Sequence, residues 1–197
     1  GHKYTEAEAT ATSGITTVHW KEEFPAIFNM LMNHAENVYL NTNENDRASI
    51  IVTSRDARFV TDTKSRFPLH NYERSAPIMA KLRTSKSEFE KQLIQTACDI
   101  TNKAFRRVLA FVKPGVMEYE IEAEIMHTFL SNRATRQAYG SIIASGANAC
   151  VLHYVDNNQP CNDGDLLLMD FGAEYANYCA DLTRTIPVNG KFTQRQK

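Results

Sequence analysis

Two aspartates near the end of the chain, Asp170 and Asp181, are the residues whose type and spacing could do chemistry. Asp170 closes the apolar run Leu166-Leu167-Leu168-Met169, and Asp181 follows eleven residues later. A run without alternation reads as a strand buried on both faces. A charge at its end is costly to desolvate, so something cationic is expected opposite Asp170. The segment leading to Asp181 also reads as extended. Pairing the two as an antiparallel hairpin centred between Tyr175 and Ala176 sets Asp170 directly opposite Asp181, with Cβ atoms about 4.5–5.5 Å apart on one face. Two carboxylates there repel unless a proton or a metal lies between them. The spacing suits paired divalent ions, which lie about 3.5–4 Å apart in two-metal sites. The turn is not of the Asn-Gly type that would pin the register, and two unrelated solvated aspartates at loop ends would satisfy the same spacing.

Elements that position such a strand are legible upstream. Ser85-Lys86-Ser87-Glu88 reads as a capping box in which Ser85 caps Glu88. It predicts a long helix to about Val112, ended by Pro114-Gly115, with Phe89, Leu93, Ala97, Ile100, Ala104 and Val108 on its apolar stripe. A second helix follows, with Ile121, Ile125, Phe129 and Leu130 inward and Glu118, Glu120, Glu122 and Glu124 mostly on a solvated face. Tyr139 to Ala144 reads as a strand and Ser145 to Asn148 as a tight loop. Helices followed by strands fit an α+β domain with helices on one face of an antiparallel sheet. Earlier in the chain, Phe24 to Ala35 repeats at helical spacing, Val38-Tyr39-Leu40 is a short strand, and Ser49 to Thr53 is a further strand or buried segment. Phe67 to Pro77 reads as a connection, with a domain boundary near Ile78.

The stretch Leu152-His153-Tyr154, followed by GDLLLMDFGAEYANYCADLTRTIPVNGKFT, closely resembles the catalytic domain of Xaa-Pro aminopeptidases (aminopeptidase P) and prolidases, the pita-bread metallopeptidases. The resemblance implies that Asp170 and Asp181 are metal ligands and that His153 is a substrate-side catalytic residue. It also implies that the complete enzyme carries two Mn(2+) ions, with a metal-bridging hydroxide attacking the scissile carbonyl. Thr183, two residues beyond Asp181 on the same strand, shares its face and either supports the ligands or is an ordinary strand threonine. By the same resemblance, residues 1–77 correspond to the C-terminal part of a smaller α/β N-terminal domain. Residues 78–197 then correspond to the first half of the pita-bread domain. The family's other ligands, one histidine and two glutamates, lie downstream of the aspartate pair and have no counterpart here. The chain therefore reads as a middle piece that is inactive alone.

The substrate implied is a proline-containing peptide. Prolidase, acting on dipeptides, shares the pattern; methionine aminopeptidase shares the aspartate spacing but matches NGKFT less well. A non-catalytic peptide-binding or protein-binding module of the same fold is the alternative of a different class, and retention of both aspartates favours descent from an enzyme.

Composition agrees with a globular protein of 197 residues, 43% apolar and 23% charged. A net charge of −1 without a basic stripe argues against nucleic acid as a partner. No apolar run approaches the ~20 residues a membrane helix needs. Without a charged-then-apolar leader the reading is cytoplasmic. Cys98, Cys150, Cys161 and Cys179 have no paired spacing and read as reduced thiols. Homo-oligomerisation is the remaining expectation from the family.

Overall fold

The computed structural model describes residues 2–42, 44 and 52–197, and its contacts fall into two compact units, Gly1–Ser85 and Lys86–Lys197. In the first, α1 (Glu6–Ser13) is opened by a capping box between Thr5 and Glu8, in a stretch where no periodic signal is visible in the sequence. A 3-10 turn leads into α2 (Phe24–Met32), which tolerates Pro25 in its first turn. Strand β1 (Asn37–Leu40) and strand β2 (Asn71–Arg74) pair in parallel, with α3 (Arg55–Arg66) in the connection. A parallel pair needs such a crossover. The aromatic rings of Phe24 and Phe28 on α2, Phe59 on α3 and Phe67 pack together. Residues 67–77, expected to be a connection, thus hold a strand and the start of α4 (Ala76–Thr84). Of the strand expected at Ser49 to Thr53, residues 49–51 lie outside the described residues, and Val52 and Thr53 are not in a strand.

The second unit is built on α5 (Glu88–Phe111) and α6 (Glu118–Ser131). The capping box of α5 is formed by Ser87 and Glu90, two residues later than expected. Both registers satisfy the sequence pattern; Ser85 is instead the C-cap residue of α4. Ala97, Ile100, Ala104 and Val108 are buried as the stripe requires, whereas Phe89 is 68% exposed, beyond the reach of the core. On α6, Ile121, Ile125 and Phe129 are fully buried but Leu130 is exposed.

Against this helical layer lie two antiparallel sheets. One is β3 (Arg136–Gln137), β6 (Ala173–Tyr175) and β7 (Tyr178–Cys179), in the order β3-β6-β7. The other is β4 (Ile142–Ser145), β5 (Leu166–Phe171) and β8 (Leu182–Pro187), in the order β4-β5-β8. This is the α+β arrangement expected from the sequence. The apolar run of β5 is not buried on both faces. Leu167, Met169 and Phe171 are fully buried against the helices, where Phe171 meets Phe129 at 6.3 Å between ring centroids, while Leu166, Leu168 and Asp170 are only half-buried on the opposite face. Asp170 therefore occupies a side of the sheet where a carboxylate can stay partly hydrated.

Candidate metal centre

The register of the ladder decides how the two aspartates meet. Asp170 pairs directly with Thr183, and Phe171 with Leu182. The same register continues through Glu174 opposite Cys179 and Tyr175 opposite Tyr178. The hairpin turn is therefore Ala176-Asn177, both left-handed at φ 49° and 69°, a two-residue turn of the primed kind. Its geometry is secured by Glu174, whose buried carboxylate accepts from the Asn177 amide at 2.7 Å and pairs with Arg136 at 3.1 Å. Relative to the expected hairpin the register slips by two residues. A two-residue slip preserves the face of every side chain. Asp181 moves from directly opposite Asp170 to a diagonal position across from Gly172. At Gly172 the strands approach so closely that an added Cβ would lie 1.8 Å from the Ala180 carbonyl oxygen.

The two carboxylates share the hydroxyl of Tyr139. Its hydroxyl lies 2.5 Å from Asp170 Oδ1 and 2.8 Å from Asp181 Oδ1, so these two oxygens are at most about 5.3 Å apart, the sum of the two bonds. Tyr139 reaches them through a bulge. Ala138 donates to the Gly172 carbonyl at 2.8 Å and Ile142 pairs with Asp170, so residues 139–141 span what Phe171 alone spans on the partner strand. A bulge frees a side chain from the ladder and re-aims it. Gly140, in the middle of an otherwise strand-like run, is the sequence signal that marks it.

Electrostatically the site is under-supplied with positive charge. Among the described residues, no ion pair involves Asp170 or Asp181. A phenol has one proton to share between two acceptors. Burial, followed by the hydrogen bonds to Asp170 and Asp181, pushes the Tyr139 phenol well above its ordinary value, so it stays a neutral donor. Hard oxygen donors with one side open to water suit a hard divalent cation, and by this donor chemistry the pair fits one. No cluster of three or more His, Cys, Asp or Glu side chains that could hold a metal ion forms among the described residues.

Thr183 faces the same side as Asp170 and is exposed. His153 is also exposed, on a turn where its own φ is 54°, and it makes no hydrogen bond or ion pair to another described residue. The structure brings Asp170, Asp181, Thr183 and Tyr139 together on one face; among the described residues no hydrogen bond or ion pair joins His153 to them. Glu118, expected on the solvated face of its helix, is instead fully buried.

Residues 92–197 match the model of metallopeptidase family M24. The chain belongs to this family. Over 121 residues it is 46% identical to Xaa-Pro aminopeptidase of Haemophilus influenzae, which covers 61% of this chain and 28% of that protein. The Escherichia coli Xaa-Pro aminopeptidase is 44% identical over 121 residues, 61% of this chain and 27% of the other. Among solved structures, a Bacillus anthracis protein assigned as an aminopeptidase P superposes with a TM-score of 0.90 at 31% identity, covering 98% of this chain and 46% of that one. Zinc-substituted Escherichia coli aminopeptidase P in complex with product superposes at 0.82 and 35% identity, covering 100% of this chain and 45% of that one. The M24 chain described here thus spans less than half the length of the relatives it matches. Its second unit has the α+β architecture of the pita-bread fold of aminopeptidase P.

Proposed function

We propose that this M24 chain is part of a metal-dependent aminopeptidase that releases the N-terminal residue from Xaa-Pro peptides. Asp170 and Asp181 would hold divalent ions, Mn(2+) in the complete enzyme. The observation that carries the reading is the convergence of both carboxylates on one shared phenol with no described cation to neutralise them. When bound, a divalent metal supplies a water ionised near neutral pH and charge stabilisation of an oxyanion. The chain's own residues orient and exclude. Tyr139 fixes the facing oxygens of the two aspartates, Thr183 borders Asp170 across the ladder, and the helical layer keeps water from the back of the sheet. His153 serves as the donor to a bound peptide, its exposed turn leaving the imidazole open to solvent and substrate.

Residues 1–77 are assigned to the end of a smaller N-terminal domain and 78–197 to the first half of the metallopeptidase domain. In support, the family match falls wholly within the second compact unit. The substrate is a proline-containing peptide, and neither nucleic acid nor membrane is a partner. Among the described residues no helix is long and apolar enough to cross a membrane. Four free cysteines accord with a cytoplasmic location, and self-association into a homo-oligomer accords with the exposed apolar side chains of α2 and α4.

Because two carboxylates supply only part of a coordination shell, the 197-residue chain by itself should bind Mn(2+) weakly and should not turn over. Calorimetric titration of Mn(2+) into the chain, with D170N and D181N beside it and a turnover assay on an Xaa-Pro tripeptide, tests this. One weak site, lost in both variants and without turnover, is the expected result. Binding that survives both substitutions overturns the metal assignment. Tight two-site binding with turnover overturns the partial-shell reading.

A further inference from the structure

His153 sits on an exposed turn with a left-handed backbone, a conformation that non-glycine residues adopt sparingly and that persists when the surroundings enforce it. Four residues on, Asn157 is left-handed as well, at φ 44°. Two such residues in one short segment call for something that holds them.

That something is a buried polar lattice on either side of His153. Glu118, at the first position of α6, is 0% exposed and its carboxylate is saturated by four donors. Oε1 accepts from the Ser145 amide at 2.8 Å and from Asn148 Nδ2 at 3.2 Å; Oε2 accepts from the Tyr154 hydroxyl at 2.7 Å and the Gln159 amide at 3.0 Å. Its donors come from both ends of the segment 145–159, and one of them is the residue immediately after His153. Tyr154 is itself buried. Burial first, and then its bond to Glu118, pushes its phenol up to about 12, so it remains a donor at any pH the protein meets.

The second anchor is Asn157, 3% exposed. Its Oδ1 accepts from the Ile143 amide at 2.9 Å, and its Nδ2 donates to the Ser141 carbonyl at 2.9 Å and to Glu122 Oε2 at 3.0 Å. A side-chain amide here pairs with the edge of β4 as a neighbouring strand would. Nearby, backbone bonds from Gly115 to Cys161, Cys161 to Val116 and Glu118 to Gln159 pin the exit of the segment to the start of α6. His153 is thus the exposed tip of a turn whose feet are tied to α6 and β4.

We propose that Glu118, assisted by Asn157, is a positioning residue for His153: its buried carboxylate holds the turn that presents the imidazole to a bound peptide. The inference rests on the reading of His153 as the substrate-side donor. A buried carboxylate with four donors is costly to place and costly to alter. E118Q keeps the size but presents an NH2 group where an acceptor is needed. Whichever way that amide turns, it faces a main-chain N–H, of Ser145 or of Gln159.

The test has two arms. In the 197-residue chain, the ring proton resonances of His153, assigned by their loss in H153A, should be a single narrow set. In E118Q they should broaden or split while resonances of α5 stay in place. Y154F, which removes one donor and leaves the carboxylate, serves where E118Q does not fold and should broaden the same signals to a lesser degree. Unchanged His153 signals in a folded E118Q or Y154F overturn the proposal. In the natural polypeptide that carries this sequence, turnover of an Xaa-Pro tripeptide should fall about 10- to 100-fold in E118Q. Its split between kcat and KM should match that of H153A, and E118Q/H153A should equal H153A within about twofold. Losses that multiply in the double variant reveal a merely structural role and overturn the proposal. Absence of turnover by the unaltered polypeptide would instead overturn the peptidase reading, and the resonance arm then decides the role of Glu118 alone.

Discussion

Replacing Tyr139 by phenylalanine removes the hydroxyl that Asp170 and Asp181 share and changes little else, because the ring can remain in the bulge. The two bonds lost, at 2.5 and 2.8 Å, share a single proton, so they count as one strong hydrogen bond between a neutral donor and charged acceptors. Such bonds contribute about 1.5–3 kcal/mol. Asp181 is exposed and Tyr139 and Asp170 are half-buried, so water can replace part of what is lost; Y139F should therefore cost about 1–1.5 kcal/mol, at or below the bottom of that range. Urea unfolding followed by far-ultraviolet circular dichroism is the assay, since the only tryptophan, Trp20, belongs to the first unit. A pH series makes the test specific. The folded Tyr139 phenol is raised above its unfolded value of about 10, so its contribution is complete below that pH and declines as pH rises above it. The stability gap between the wild-type chain and Y139F should hold steady from about pH 7 to pH 9 and shrink above about pH 10. A gap under about 0.5 kcal/mol at neutral pH, within the range of ordinary surface substitutions, would refute the bridging role. So would a gap that does not shrink in alkali.

Two further outcomes probe the scaffold. G172A places a Cβ within 1.8 Å of the Ala180 carbonyl oxygen and 2.5 Å of its carbon, both backbone atoms that cannot step aside; it should cost about 3 kcal/mol or more in urea unfolding, and a variant as stable as wild type would contradict the close approach of the strands. S87A should destabilise α5 by about 1 kcal/mol and S85A by a few tenths at most; the reverse order in thermal or urea unfolding would restore the earlier capping register.

The carboxylate pair was legible in the sequence, and its partner was not. Asp170 and Asp181 stand out because an apolar run ends in a charge and a second charge recurs at a spacing of matching parity, which places both on one face in either hairpin register. The expectation that β5 is buried on both faces fails, because only Leu167, Met169 and Phe171 face the helices; the half-buried Asp170 keeps partial hydration and accepts from a neutral phenol. Tyr139 lies 31 residues before Asp170 and enters through a bulge, with Gly140 as its only local sign. Periodicity alone puts Glu118 on the solvated face; the first position of a helix lies at its rim, where a segment distant in sequence can return to cover it, as residues 145–159 do. Phe89 fails in the opposite direction, since a stripe continues along a helix further than the sheet beneath it extends.

Local chemistry in this chain thus determined the helix pair, the buried face of β5, the parity that puts two aspartates on one side and the family signature around them. Tertiary structure decided which serine caps α5, where the hairpin turns, which hydroxyl bridges the aspartates and which carboxylate disappears beneath the His153 turn. The division has a physical cause. Periodicity and capping depend on residues a few positions apart, whose relative placement the backbone geometry dictates. The register of a hairpin without an Asn-Gly turn is set by side chains such as Glu174 and Arg136, 38 residues apart, and the burial of Glu118 by donors up to 41 residues away. Those partners are brought within reach by the packing of the helical layer and the sheets.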